Sequence, residues 1–233
     1  MSASRAGRWL WRLALLAAAA LLLLQLWYLG WVALYRWVDP GETAFMARER
    51  ARLERVRPGA ALRQRWVDYG AISMHLKRAV VAAEDARFVE HDGVDWEAVG
   101  KALETNLKKG RPARGGSTIS QQLAKNLFLS PERSYLRKAQ ELLITWMIEA
   151  LWDKRRILEV YLNVAEWGEG VFGAEAAAQH YFGVPAARLG PEQAARLAAM
   201  LPRPKYYDRN RASPYLAARA ATIQRYMAGA AIP

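Results

Sequence analysis

Residues 84–95 read EDARFVEHDGVD, and residues 115–126 read GGSTISQQLAKN. Apolar side chains recur every three to four positions on both sides of each glycine turn, which predicts helices joined by short turns. The first stretch puts Glu84 four residues after Val80 and four before Phe88, on the apolar side of its predicted helix. Desolvation at such a place raises the pKa of a carboxyl group toward the range useful for proton transfer. The two stretches therefore pair a candidate acid or base with a candidate anion site.

The same helical period continues through most of the remaining chain. Trp96, Val99, Leu103 and Leu107 form one stripe, and residues 136–152 form a long apolar-rich run. The predicted helix boundaries are Gly110, Ser130-Pro131 before Glu132, Gly183, and Ser213-Pro214. Few segments alternate with period two, so little strand is expected. These patterns predict an all-α or nearly all-α domain.

The N-terminal segment is apolar enough to cross a membrane. Between Leu13 and Tyr35 the only strongly polar side chain is Gln25, and a helix needs about 20 apolar residues to span the hydrocarbon core. Arginines precede this segment and acidic residues follow it, which predicts a cytoplasmic N-terminus with the rest of the chain outside. A cleaved signal peptide is the alternative, but the length of the apolar run and the aromatic residues after it favour a retained anchor.

The chain is therefore expected to have four parts. They are residues 1–12 in the cytoplasm, 13–37 as the transmembrane anchor, 38–65 as a basic connecting segment, and 66–233 as the main domain. The 233 residues carry a formal charge of +12 and include no cysteine, so disulfides are excluded. A basic domain beside a membrane attracts anionic headgroups and pyrophosphates. Nucleic acid is the other usual partner of such a charge, but the external topology disfavours it.

The acidic residues of the first stretch also have structural interpretations. Glu84 could pair with Arg87 or Lys77 at the margin of a packed face. Asp95 could supply an oxygen ligand to a cation such as Mg²⁺, but a cap on the helix that begins at Trp96 is the better interpretation.

The second stretch has two interpretations as well. Glycines let a ligand approach the backbone closely, and a helix start directs unpaired N–H groups and a partial positive charge outward. An ordinary loop with an N-cap at Ser117 would be simpler if no cations lay nearby. The presence of Lys125, Arg111 and Arg114 favours the anion site.

A third cluster contains Arg137, Lys138 and Glu141. Spacings of four and three residues put all three on one helix face. Alone, the triplet would form surface ion pairs that contribute about a few tenths of a kcal/mol. Beside an anion site it becomes a second set of cations for a diphosphate, with Glu141 available to orient them or to hold a metal.

Five motifs, in order, resemble those of glycosyltransferase family 51, the peptidoglycan transglycosylases that polymerise lipid II into glycan strands. They are Glu84-Asp85-x-x-Phe88-x-x-His91-x-Gly93, the block from Gly115 to Asn126, Arg137-Lys138-x-x-Glu141, the run from Ile157 to Asn163, and Gly170-x-x-Gly173 through Gly183. The resemblance covers about His75 to Pro204. A lone anchor and no second domain after Met227 resemble the monofunctional biosynthetic form. Ser120 stands where the family usually has Thr, a change that keeps the hydroxyl.

The resemblance implies a mostly α, lysozyme-like domain with two lobes and one N-terminal transmembrane helix. It also implies an inverting transfer of a lipid-linked growing glycan onto the GlcNAc 4-hydroxyl of lipid II, which forms a β-1,4 bond and releases undecaprenyl pyrophosphate. The implied catalytic residues are Glu84, as the base, and Glu141; His91 stays open as an alternative base. The residues implied in substrate binding are Asp85, Phe88, His91, Gly115, Gly116, Ser117, Thr118, Gln121, Gln122, Lys125, Asn126, Arg137 and Lys138.

The implied location is the bacterial inner membrane, with the main domain in the periplasm. Lipid II, lipid-linked glycan and the membrane are the implied partners, and other cell-wall synthesis or division proteins are further candidates. No cofactor is certain, and a divalent cation, Mg²⁺ or Mn²⁺, at the pyrophosphate stays open. Residues 146–152 offer apolar side chains to prenyl chains, although core packing explains them at least as well.

Two other functions stay open on the sequence alone. A cell-wall hydrolase would also use Glu84 in a lysozyme-like cleft, but an inverting hydrolase needs two carboxylates around a water and has no use for the cations. A non-catalytic scaffold anchored in the membrane would make Glu84, Lys125 and Glu141 incidental.

Overall fold

The computed structural model describes residues 3–110, 116–132 and 134–233. The chain forms two compact units, Met1–Asp39 and Pro40–Pro233. The first unit consists mainly of one helix, α1 (Ala3–Tyr35). Within it, Gly7–Tyr35 are long enough and apolar enough to cross a membrane.

The second unit is mostly helical, which confirms the fold class that the periodicity predicts. Its helices within the described residues are α2 (Ala44–Val56), α3 (Met74–Glu84), α4 (Trp96–Lys109), α5 (Ile119–Phe128), α6 (Tyr135–Leu151), α7 (Lys154–Val164), α8 (Ala174–Phe182), α9 (Pro191–Met200), α10 (Pro204–Arg209) and α11 (Pro214–Tyr226). A small sheet has the order β1-β3-β2. In it, β1 (Arg63–Gln64) is parallel to β3 (Val171–Phe172), and β2 (Glu166–Gly168) is antiparallel to β3.

Several predicted helix ends are confirmed. The Asp95 carboxylate accepts a hydrogen bond from the Ala98 N–H at 2.9 Å and caps α4. Gly110 ends α4 and Gly183 ends α8, each in the left-handed conformation that glycine adopts without strain. Ser213 caps α11, which begins with the predicted proline.

Two predictions about the helix bounds are wrong. Helix α3 ends at Glu84 and does not continue to Phe88, because Asp85 leaves the helical conformation and bonds elsewhere. Helix α6 begins at Tyr135, not at Glu132, because the Ser134 side chain accepts the Arg137 N–H and caps it. The helical period of α4 is confirmed, and the side chains of its apolar stripe are largely exposed at Trp96, Leu103 and Leu107.

Two groups of packed helices carry the core. Helix α3 packs against α9 and α11, and α5 packs against α6 and α7. The turn after β3 requires glycine, because Gly173 has a φ of +83° and an added Cβ would lie 2.6 Å from the Asn163 carbonyl oxygen. The end of α3, the starts of α4 and α5, and α11 contribute side chains to one cavity.

Candidate active site

Glu84 lies at the C-terminal end of α3, in the lining of a cavity of about 670 Å³. Its Oε2 accepts a hydrogen bond from Gln122 Nε2 at 3.0 Å. Its Oε1 is buried and has no hydrogen-bond partner within the described part of the chain, although Arg219 lies 3.6 Å away. Burial raises the pKa of Glu84, while Gln122, Arg219 and Lys125 oppose that rise. The carboxylate therefore has one oxygen held and one oxygen free to accept a proton.

Gln122 is itself held by a buried tyrosine. The Tyr161 hydroxyl donates to Gln122 Oε1 at 2.9 Å, and the tyrosine is 1% exposed. Burial raises the pKa of Tyr161 well above its ordinary value, so the hydroxyl stays a donor. Because the Gln122 oxygen must face Tyr161, its NH₂ group must face Glu84.

Asp85 connects the two sequence stretches. Its Oδ2 accepts the N–H of Ile119, the first residue of α5, at 3.0 Å, and its Oδ1 lies 2.8 Å from His91 Nε2. Phe88 is fully buried. Both Asp85 oxygens and the Phe88 ring are therefore engaged within the fold around Glu84, while His91 Nδ1 is buried without a hydrogen-bond partner among the described residues. The implied substrate-binding roles of these three residues stay predictions.

The start of α5 differs from its predicted form. Thr118, not Ser117, is the N-cap, and Thr118 and Gln121 form a capping box. The Thr118 N–H donates to Gln121 Oε1 at 3.2 Å, and the Thr118 hydroxyl donates to the Gly93 carbonyl at 2.6 Å. Thr118 lines the cavity, but its N–H and hydroxyl are used in capping. These two Thr118 groups are therefore not free to bind a phosphate, and Gln121 Oε1 is used in the same cap.

The glycine turn before α5 is described only in part, because Gly115, together with Arg111 and Arg114, lies outside the described residues. Gly116 and Ser117 line the cavity. An added Cβ on Gly116 would lie 3.3 Å from Val99 Cα, so glycine allows this turn to pack closely on α4. The Ser117 hydroxyl lies 3.5 Å from Lys138 Nζ, which connects the cavity to the cations of α6.

The predicted cluster on α6 is confirmed. Arg137 approaches one oxygen of Glu141 at 2.5 Å, and Lys138 approaches the other. Glu141 is 3% exposed, so the pair of cations is anchored on a buried carboxylate. Burial lowers the pKa of Lys125 on neighbouring α5, and the negative charges of Glu141 and Glu84 oppose this. Lys125 thus interacts electrostatically with both carboxylates.

Two further predictions concern Asn126 and metal binding. Asn126 is buried on α5 and lies outside the cavity lining, so direct substrate contact is not supported for it. Across residues 3–110, 116–132 and 134–233, no group of three or more His, Asp or Glu side chains is placed to hold a metal ion. Each oxygen of Glu141 already faces a cation.

Sequence analysis missed two residues that contact Glu84 or Gln122. Arg219 comes from α11, 135 positions after Glu84 along the chain, and stands in no recognised motif. Tyr161 belongs to a quoted motif, but its contact with Gln122 is not evident from spacing. One signal was available for Tyr161: a tyrosine hydroxyl within an apolar helix face needs a buried partner.

Comparison with known proteins places the chain among cell-wall enzymes. A sequence model described as transglycosylase matches residues 50–228. The chain is 60% identical over 227 residues to the biosynthetic peptidoglycan transglycosylase of Dechloromonas aromatica (strain RCB), covering 97% of this chain and 98% of that protein. It is 61% identical over 226 residues to the protein of the same name from Azoarcus sp. (strain BH72), covering 97% of each. The one from Bordetella pertussis is 59% identical over 216 residues, covering 91% of this chain and 89% of that protein.

Proposed function

The chain belongs to the peptidoglycan transglycosylase family, and on that premise we propose that Glu84 is the general base of its glycosyl transfer. The protein is a monofunctional peptidoglycan glycosyltransferase with a lysozyme-like fold, and it polymerises glycan from lipid II or glycan substrates. Its N-terminal apolar helix makes it a membrane-associated enzyme. The observation that carries the proposal is the buried Glu84 carboxylate, with one oxygen held by Gln122 and one oxygen unpartnered at a cavity.

The proposed reaction takes a proton from the GlcNAc 4-hydroxyl of lipid II. Glu84 Oε1 accepts that proton while the hydroxyl oxygen bonds to C1 of the MurNAc at the reducing end of the lipid-linked glycan. The bond from C1 to the pyrophosphate oxygen breaks, and its electron pair leaves with undecaprenyl pyrophosphate. Attack from the face opposite the leaving group inverts C1 and gives the β-1,4 bond. The raised pKa of Glu84 suits this role, because a base with a pKa closer to neutral takes a proton more readily.

The leaving group needs positive charge when the bond to C1 breaks. Lys125, Arg137 and Lys138 supply it in the proposed mechanism, and Glu141 holds Arg137 and Lys138 in place. The lowered pKa of Lys125 reflects burial, and a desolvated cation interacts strongly with a phosphate. Among the described residues no group of three or more His, Asp or Glu side chains is placed to hold a metal ion, and no step is assigned to the Mg²⁺ or Mn²⁺ that stays open at the pyrophosphate.

The other carboxylates of the cavity argue against a hydrolase. An inverting hydrolase needs a second carboxylate to activate water. Asp85 is engaged by Ile119 and His91, Asp95 caps α4, and Glu97 pairs with Arg87 and Lys101. Among these four carboxylates, Glu84 alone has a buried oxygen without a hydrogen bond inside the described chain.

The membrane setting completes the proposal. We place α1 in the bacterial inner membrane with a cytoplasmic N-terminus and the second unit in the periplasm. The exposed apolar side chains of α4 and α6 would then contact prenyl chains or lipid. They are Trp96, Leu103 and Leu107 on α4, and Tyr135, Leu136, Leu143 and Trp146 on α6. Other cell-wall synthesis or division proteins are the partners proposed for this setting.

The test compares product classes. The purified protein in detergent is incubated with lipid II, and in a parallel reaction with preformed glycan, for the wild type and Glu84→Gln. Polymer that muramidase digests, formed by the wild type and not by the variant, is the expected result. Shortening of preformed glycan without polymer from lipid II would identify a hydrolase instead, and equal polymer from both proteins would exclude Glu84 as the base.

A further inference from the structure

A second cavity of about 340 Å³ adjoins the one that contains Glu84. Pro202 and Arg219 line both cavities, and Arg219 lies 3.6 Å from Glu84. A molecule that reaches Glu84 through the first cavity can therefore extend past Arg219 into the second. The motifs of the sequence analysis include none of the residues that distinguish this second cavity.

Exposed tyrosine rings give the second cavity its chemical character. Tyr206 on α10 and Tyr215 on α11 line it and are 43% and 64% exposed. The Arg203 guanidinium lies 4.3 Å from the centroid of the Tyr206 ring. The buried Tyr207 supports Tyr206 from the side, with ring centroids 5.2 Å apart and planes at 77°. The cavity thus combines aromatic faces held in place with guanidinium and hydroxyl donors.

These groups fit a sugar better than the other parts of the substrate. A pyranose ring offers C–H groups that pack on an aromatic face and hydroxyls that hydrogen-bond to guanidinium and phenol groups. A prenyl chain would leave those donors unpaired. A pyrophosphate would need cations without other partners, whereas Arg203 stacks on Tyr206 and Arg219 faces Glu84. Arg219 Nε is also a buried donor without a hydrogen-bond partner among the described residues.

We propose that the second cavity is a saccharide subsite, which holds sugar units of the substrate beyond the one whose hydroxyl or anomeric carbon reacts at Glu84. The proposal rests on the proposed function for the identity of the saccharide, a GlcNAc–MurNAc oligomer. Two substrates carry such sugars: the growing glycan and the incoming lipid II. The aromatic residues Tyr206 and Tyr215 bind the sugar face in either case.

The first experiment measures binding of a soluble probe. The probe is a GlcNAc–MurNAc tetrasaccharide without pyrophosphate or lipid, titrated into the full-length protein in detergent. Tyr206→Ala and Tyr215→Ala should each weaken its binding about three- to tenfold, as expected for loss of one aromatic contact. Both side chains are exposed, so their truncation opens no core cavity. Circular dichroism checks that each variant folds.

Tyr226→Ala is the matched control. Tyr226 lies on the same helix as Tyr215, is 69% exposed, and has the Arg225 guanidinium 5.9 Å from its ring centroid. It lies outside the lining of the second cavity. Wild-type binding by this variant is expected. Undiminished binding by both cavity variants, or an equal loss in Tyr226→Ala, would overturn the subsite.

The second experiment identifies which substrate uses the subsite. If the growing glycan occupies it, the Tyr206→Ala/Tyr215→Ala double variant makes shorter products without a rise in KM for lipid II. If lipid II occupies it, the double variant raises KM for lipid II and leaves product length unchanged. No change in either quantity would contradict the subsite. A wild-type protein that binds the tetrasaccharide through these tyrosines but forms no polymer would overturn the proposed function and leave the subsite standing.

Discussion

Tyr161 donates its buried hydroxyl to Gln122 Oε1 at 2.9 Å, and this contact decides which end of the Gln122 amide faces Glu84. A primary amide can reverse its ends by rotating about one bond, and the reversed amide would direct its oxygen at the carboxylate. A carboxylate facing an amide oxygen is disfavoured, so Tyr161 stabilises the ionised form of Glu84 from a distance. The proposed base on α3 is therefore held by two linked side chains, Gln122 from α5 and Tyr161 from α7.

Tyr161→Phe tests this series of hydrogen bonds. The substitution keeps the ring and removes the donor, so kcat should fall about three- to tenfold, as expected for one lost hydrogen bond. The acidic limb of the pH–rate profile should move to higher pH, because Glu84 loses a stabiliser of its charged form. KM for lipid II should stay unchanged. Wild-type kcat and an unshifted pH profile would show that Gln122 keeps its orientation without Tyr161.

Arg219→Gln tests the cation beside Glu84. The positive charge of Arg219 opposes the rise in the pKa of Glu84, so its removal should raise that pKa further. A general base acts only when it is deprotonated, and the rate rises with pH through its pKa. The acidic limb of the kcat profile should therefore move to higher pH in Arg219→Gln and much less in Arg219→Lys. Arg225→Gln, an exposed position on the same helix, is the control and should leave the profile in place.

Asp85→Ala tests the connection between the two sequence stretches. The substitution leaves the Ile119 N–H and His91 Nε2 without their acceptor, and the free energy of unfolding should fall by about 2–4 kcal/mol. Asp85→Asn keeps an oxygen acceptor, so its free energy of unfolding should fall less. Urea denaturation of both variants measures the difference. A fully stable Asp85→Ala protein with weak lipid II binding would contradict this structural role and support the implied role of Asp85 in substrate binding.

The raised pKa of Glu166, a residue away from the cavity, predicts that the stability of the fold depends on pH. Burial raises its pKa to about 7, although Lys205 opposes the rise. The pKa of Glu166 is higher in the folded state than in the unfolded state. Its contribution to stability is therefore fully present at pH values below the unfolded-state pKa, where the side chain is protonated. That contribution is lost as pH rises through about 7, at a cost of at most about 3 kcal/mol. Glu166→Gln should flatten the stability curve between pH 5 and pH 8, and an unchanged slope in denaturation experiments would contradict the raised pKa.

Much of the fold is predictable from local patterns. Gly110, Gly183 and Ser213 mark helix ends because left-handed glycines and side-chain caps act within one turn of the backbone. The exposed stripe of α4 is not predictable in this way. The helical period shows that Leu103 and Leu107 share a face of α4. It does not show whether that face is covered by the rest of the protein or by another apolar environment.

The candidate site is predictable where it depends on one helix. Arg137, Lys138 and Glu141 meet because they stand three and four positions apart on α6. The contact of the Thr118 hydroxyl with the Gly93 carbonyl and the contact of Arg219 with Glu84 depend on how separate segments pack. Asp85 takes the first N–H of α5 only because α3 ends beside it. The spacing of residues along the sequence does not predict such contacts between separate segments.

The most direct test of Glu84 as the base separates chemistry from binding. The rate at saturating lipid II and the Kd for lipid II are measured for the wild type, Glu84→Gln and Lys125→Met. A lost general base predicts that Glu84→Gln reduces kcat about 10²- to 10⁴-fold with nearly unchanged Kd, whereas Lys125→Met weakens binding as well. A Glu84→Gln protein that retains its kcat, or loses activity only because lipid II no longer binds, would contradict the account.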